Sequence, residues 1–429
     1  MDYRKILLEW KGFDVPDVFE RDYSINLKVD LVNTITGPRR AGKTYFCFQI
    51  IKRLITDGVS SNNFLYVNFE DEKLIGANAD DLNGLFEEFL EVCEPREDEK
   101  IYLFFDEIQN VTNWANWVRR VYDTRKDVRI VLTGSSSKLL SREIATSLRG
   151  RIYNLEIMPF SFGEFLRFNG VDFSKRLEVQ KNLVKIRRFF KKYLSGGGYP
   201  FVVVNSGIPR DEILQEYYNS MIFRDVVERF NVADVKKLQI LAKFVFESTS
   251  KEISYSRLSN KMRSLGFGLS RNSVGEYISY FEEAYLFFQV LKYEYSLNKQ
   301  LGSIKKVYCV DNGLLNSVSF KFSRDWGKLL ENLVFQELFR RGESVFYNRG
   351  EKFECDFMVQ RKDRLVEVIQ VCYEFNEENR EREVGGLVEA MDKAGLRSGL
   401  ILTMGDEERF VVGGKRVVVL PVWKWMLGV

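Results

Sequence analysis

The residues from Gly37 to Thr44 read GPRRAGKT, a set of types and spacings suited to handling phosphate. Gly37 and Gly42 permit a tight turn and close backbone approach, so that successive N–H groups can nest around the β- and γ-phosphates of a nucleotide. Lys43 offers an ammonium to the β/γ oxygens, and the Thr44 hydroxyl suits a Mg2+ ion. Pro38, Arg39, Arg40, Ala41 and the following Tyr45 complete the same binding loop. Further on, IYLFFDE ends an apolar run with two acids. Asp106 is placed to hold Mg2+ through water, and Glu107 to orient or deprotonate an attacking water. The plainer alternative is that this pair caps the next helix, which is also the better account of Asp71. Ser135 and Ser136 in VLTGSSS could bind the attacking water or the γ-phosphate, or simply cap a helix. Arg149 and Arg151 follow; an arginine near a γ-phosphate stabilises transition-state charge, though surface arginines ordinarily do not.

These side chains need a scaffold. Ile25–Ile35 reads as a strand running straight into the loop, and Tyr45–Ile55 repeats its apolar residues at helical spacing. Further strands are expected at Phe64–Glu70, Ile101–Glu107 and Val128–Gly134. The last two are near-continuous apolar runs, the mark of parallel strands buried on both faces. Helical segments separate them, which gives an α/β, doubly wound parallel sheet with its ligands beyond the carboxyl ends of the strands. After Pro159 the pattern turns helical, with GGGYP at Gly196–Pro200 as a turn. Within it, KIRRFFKK is a basic-aromatic run whose charges suit a solvated helix face. From Asp234 three helices precede a hairpin (FFQVLKYEYS and KKVYCVD), the winged-helix pattern. From Trp326 a helix and short strands form a second α/β layer. The expected divisions are 1–158, a helical lid at 159–232, a winged helix at 233–322 and a last domain at 323–429.

Composition narrows the chemistry. The chain has 429 residues, enough for two to four domains, and 45% of them are hydrophobic, enough for real cores. Lys+Arg 64 against Asp+Glu 61 leaves a net charge of +3, so contact with nucleic acid must come from local patches. Five scattered cysteines without a C-x-x-C fit a reducing compartment. Histidine is absent, which removes His general acid/base catalysis, the Ser-His-Asp triad and every His-ligated metal site. No run approaches the ~18–20 apolar residues of a membrane helix, and a soluble, cytoplasmic protein with no membrane partner is expected.

In order, GPRRAGKT, LYVNFED, LFFDEIQNV, LTGSSS, LRGRIYNLEIMPFSFGEFL and GGGYP resemble the archaeal and bacterial AAA-type ATPase family, P-loop proteins related to STAND-type regulatory switches. The resemblance covers most of the chain and is most specific over about residues 20–230. It implies ATP and Mg2+ as cofactors, with Lys43, Thr44, Asp106 and Glu107 at the matching positions. It sets Arg151 on the family's G-R after the sensor strand, and Arg39 and Arg40 on its P-R-R loop. Members often carry a winged helix and a C-terminal domain resembling the PD-(D/E)XK nucleases, a restriction-endonuclease-like α/β fold.

Such a nuclease site needs an acid on a first helix, an acid at a strand end, and (D/E)-x-K on the next strand. Glu331, Asp356 and Glu367 fall at suitable places for a second Mg2+ site, but Ile369 stands where the lysine belongs, beside Gln370. An active site with glutamine and an inactive, structural domain both remain open. In the winged-helix region Arg271, Asn272 and Glu276 make a poor major-groove reader. Arg257, Lys261 and Arg263, with the hairpin's Lys292, Lys299, Lys305 and Lys306, are better suited to grip phosphates. The expectation is an ATP-hydrolysing protein directed to double-stranded DNA, compatible with a homo-oligomer. The alternative is an ATP switch acting through protein contacts.

Overall fold

The computed structural model describes residues 1–136, 150–319 and 325–429; Arg149 lies outside these described residues. The chain divides into two units, Met1–Met158 and Pro159–Val429.

The first unit is built on five parallel strands: β1 (Val32–Thr36), β2 (Phe64–Asn68), β3 (Ile101–Asp106), β4 (Val128–Gly134) and β5 (Ile152–Glu156). Their order is β2-β3-β4-β1-β5, so β1 runs between β4 and β5. Strands β1, β3 and β4 are buried at every position, which is what their apolar continuity demands. One sheet face packs Leu65, Leu103, Phe105, Trp117 and Leu132; the other packs Ile35, Phe46, Phe104 and Val131. Burying each such side chain contributes about 1.5–3 kcal/mol.

The strand expected from Ile25 begins only at Val32. Asn26 Oδ1 accepts the Lys28 N–H and the Leu31 N–H turns back to the Val29 carbonyl, so local bonds hold the backbone out of the ladder. β5 lacks apolar continuity because it is an edge strand, exposed or half-buried throughout. The N-terminal lead-in, residues 1–24, is structural. Its helix α1 (Tyr3–Lys11) lies on α3 (Ala79–Cys93), with Tyr3 Oη donating to Asp81 at 2.8 Å and Trp10 Nε1 to the Phe64 carbonyl at 2.8 Å.

The second unit contains one nine-stranded sheet. Helices Val235–Glu247, Tyr255–Ser264 and Arg271–Glu283 precede β7 (Phe287–Lys292) and β8 (Lys305–Cys309), which pair antiparallel, with β6 (Lys251–Ile253) on the far side of β8. β7 then pairs parallel with β9 (Ser344–Arg349), so the hairpin and the last α/β layer share a sheet across the 322/323 division. That layer continues through β10 (Glu354–Arg361), β11 (Arg364–Val371), β12 (Ser398–Thr403) and β14 (Lys415–Pro421), with β13 (Glu408–Val412) at the edge. The GGGYP turn is an interlock within this unit. Asp311 Oδ2 accepts the Gly198 N–H at 2.7 Å, and a Cβ on Gly197 would lie 2.0 Å from Asp311.

Candidate functional site

The loop Gly37–Thr44 joins the carboxyl end of β1 to helix α2 (Lys43–Thr56). Gly37 has φ +145, and a Cβ there would meet the Ile157 carbonyl oxygen at 2.1 Å; no other residue fits that approach. Gly42 caps α2 in the left-handed region at φ +98. The first-turn amides of α2 have no partner within the helix, and its dipole adds positive potential there, which suits an anion.

Lys43 is buried, and its Nζ donates to the carbonyls of Gly37 at 3.1 Å and Pro38 at 3.3 Å. It also lies 3.5 Å from Glu107 Oε1. Thr44 Oγ1 donates to Asp106 Oδ2 at 2.6 Å. β3 therefore delivers both acids to the loop, as its apolar run and polar end imply. Burial, then the neighbouring Glu107, push the Asp106 carboxyl above its ordinary range; hydroxyl donors from Thr133, Thr44 and Tyr66 oppose the shift. Glu107 has φ +53, a left-handed backbone for a residue with a side chain. Gln109 Nε2 donates to its Oε2. With Thr44 and Asp106 in contact and the loop amides beside them, the donor set fits a Mg2+-bound nucleotide.

Ser135 and Ser136 are both buried just beyond β4. In the same segment Thr133 touches both acid residues: it donates to Asp106 Oδ1 and accepts the Glu107 N–H at 3.0 Å. The β3/β4 register pairs Phe105 with Leu132, so Thr133 stands beside Asp106, two residues before the first serine. Tyr66 on β2 also donates to Asp106 Oδ2, at 2.8 Å. Arg21, from the lead-in, is buried under the loop and donates to the carbonyls of Ala41 at 2.9 Å and Met158 at 2.6 Å. No sequence pattern marks either one.

Arg39 pairs with Glu70 at 2.7 Å; Arg40 and Tyr45 are exposed. Arg151 is not brought to the loop. It precedes β5, its carbonyl accepts the Val32 N–H at the amino end of β1, and its guanidinium pairs with Asp123 at 2.6 Å. The loop follows the other end of β1, about 16 Å away along the strand.

In the second unit the expected Glu331, Asp356 and Glu367 set is not assembled. No group of three or more acidic, cysteine or histidine side chains placed to hold a metal ion occurs among the described residues. Glu367 pairs in register with Val359, three residues before Gln370, so the two project to opposite faces of β11. Gln370, not Glu367, meets Asp356: its Oε1 accepts the Asp356 N–H at 3.3 Å while its Nε2 donates to Glu383 at 2.6 Å. Glu331 and Asp356 do converge, on a cation the chain itself supplies. Lys306 Nζ, only 3% exposed, lies 3.1 Å from Glu331 and 2.9 Å from Asp356, and also pairs with Glu354. Burial alone would lower the Lys306 pKa, but Asp356, Glu331 and Glu354 outweigh it and hold the group charged. Burial, then Asp356, push Glu331 above the carboxylate range. The hairpin lysine expected to grip phosphate is thus consumed internally.

No helix among the described residues is long and apolar enough to cross a membrane. Known proteins give context. A family model described as "AAA domain" matches residues 30–166. Two models described as domains of unknown function, DUF8612 and DUF4143, match residues 187–325 and 326–425. An uncharacterised protein of Methanocaldococcus jannaschii is 38% identical over 424 residues, covering 96% of this chain and 91% of its own. An uncharacterised protein of Haemophilus influenzae is 33% identical over 358 residues, covering 82% and 85%. Among solved structures, a Walker-type ATPase of Pyrococcus abyssi aligns with 74% of this chain and 94% of its own, at 13% identity and a TM-score of 0.43.

Proposed function

We propose that this chain, which belongs to the same family as these archaeal and bacterial proteins and carries an AAA domain, binds ATP with Mg2+, hydrolyses it, and couples the cycle to DNA. The observation that supports this best is the convergence of Thr44, Asp106, Lys43 and Glu107, with 2.6 Å between the hydroxyl and carboxylate and 3.5 Å between the ammonium and carboxylate. Mg2+ bound there would neutralise charge developing on the phosphates. Thr44 and Asp106 are the residues to hold it. Lys43 must exchange Glu107 and the loop carbonyls for β/γ oxygens, which releases Glu107 to orient the attacking water. Gln109 donates to that carboxylate, and Thr133 holds the Glu107 backbone N–H.

The last layer is proposed to be a nuclease-like domain without cleavage chemistry, because the Lys306 ammonium takes the cation's place among the acids. This lends some weight to the alternative of an ATP switch acting through protein contacts. Titration calorimetry with ATP and Mg2+, and phosphate release by Glu107→Gln, test the ATPase reading. Glu107→Gln is expected to keep nucleotide binding and lose about 100-fold or more in turnover. Absence of binding heat in the parent would reject it.

A further inference from the structure

Helix Leu183–Gly196 reads LVKIRRFFKKYLSG: five basic residues and no acid. Ile186, Phe190, Tyr193 and Leu194 are buried, which fixes how the helix lies on its unit. At 100° per residue, Lys185, Arg187, Arg188, Lys191 and Lys192 then share one outward face, about 160° wide. All five are exposed, and among the described residues none pairs with a carboxylate. Arg188 and Lys192 both lie near the Phe189 ring, at 5.3 and 5.5 Å from its centroid, which restrains them without neutralising them. In a chain with 64 cations and 61 anions, most of its buried and hairpin cations engaged elsewhere, this is an anomalous concentration of unneutralised charge.

Three of the other basic candidates in the same unit are compromised. Lys306 is buried among acids, Lys292 pairs with Glu294 at 2.8 Å, and Lys261 lies 3.5 Å from Glu247. On helix Arg271–Glu283, Tyr280 is covered by Phe230, their rings stacked at 3.9 Å.

We propose that the outward face of helix Leu183–Gly196 is the surface through which this protein grips the phosphate backbone of duplex DNA, without reading sequence. The inference rests on the DNA-coupled reading and names its contact surface. Charge density favours a duplex: five cations lie within about 10 Å of helix axis, and a duplex presents one phosphate charge per about 1.7 Å, so about six phosphates face them. A membrane surface fits less well, since an interfacial helix needs a free apolar face and this one is buried in the fold.

The test is fluorescence anisotropy of the full chain with a labelled duplex of about 25 base pairs, at about 50 and 200 mM salt. The variant carries Lys185→Gln, Arg187→Gln, Arg188→Gln, Lys191→Gln and Lys192→Gln, with circular dichroism and basal ATP turnover as checks that it folds. Its Kd should rise at least about 30-fold, and its log K against log salt slope should be shallower by about 3–5. Lys292→Gln with Lys299→Gln and Lys305→Gln should change Kd less than about twofold. If the parent binds and the helix variant binds equally, or the hairpin variant is the one that fails, this surface is wrong while the DNA-coupled reading stands. If the parent binds no duplex, both fall and the ATPase reading is untouched. Binding to phosphatidylserine vesicles but not to duplex would overturn the proposal in favour of a membrane.

Discussion

Thr44 Oγ1 and Asp106 Oδ2, carried by different elements and 62 residues apart, meet at 2.6 Å. The bond ties the start of α2 to the end of β3. It also holds together the two side chains suited to share a metal ion. A nucleotide phosphate that takes up Lys43 must displace it from its carbonyl and Glu107 partners.

Thr133 bridges both acids, so its hydroxyl should matter more than either neighbouring serine. Thr133→Val keeps the volume but strands a buried carboxylate oxygen and the Glu107 N–H. Hydrogen exchange of the β3 and β4 amides should lose about 2–4 kcal/mol of protection. A loss under about 0.5 kcal/mol would refute the bridging role.

Gly37→Ala should abolish the loop's geometry, because its Cβ would collide with the Ile157 carbonyl oxygen at 2.1 Å. Calorimetric affinity for ATP with Mg2+ should fall at least about tenfold. Gly58→Ala is the control, with φ +98 but open space around it, and should bind normally. Equal affinity in the two variants would contradict the close-approach argument.

Lys306→Met removes the cation that, among the described residues, pairs with Glu331, Glu354 and Asp356. Stability of the second unit should fall by about 3–5 kcal/mol, read as a lower melting midpoint. Chelation by EDTA without nucleotide should leave the parent's midpoint unchanged, because an ammonium and not a metal does the neutralising. A parent that melts lower in EDTA would reverse the assignment.

Stability should also depend on pH through Glu331. Its folded pKa is raised, so its contribution is complete below the unfolded value of about 4.3 and is lost as pH rises through the raised value. In Glu331→Gln that loss should disappear. Between about pH 5 and 8 the parent should therefore lose stability more steeply than the variant, by up to about 1.4 kcal/mol per pH unit. Parallel curves would show that the carboxyl titrates normally.

Much of this was legible beforehand. The glycines, Lys43 and Thr44 are tied to one turn by local backbone geometry, and buried parallel strands announce themselves as unbroken apolar runs. Asp106 and Glu107 follow because a polar pair ending such a run must emerge at the carboxyl edge of the sheet. Tyr66 and Arg21 were illegible because each reaches the site from a separate element whose own residues look like ordinary core or loop. Arg151 misled because nearness in sequence to β4 says nothing about which end of the sheet a return segment reaches.

Local order along the chain determined the phosphate loop, the acids beside it and the alternation of strand and helix, since these depend on interactions spanning a few residues. Tertiary structure alone decided that Thr133 joins Asp106 and Glu107, that Gln370 and not Glu367 faces Asp356, and that Lys306 crosses from the hairpin to neutralise Glu331, Glu354 and Asp356. Those outcomes turn on strand register and on which face a side chain takes. A shift of one residue reverses the face, and only the packing of distant segments selects it.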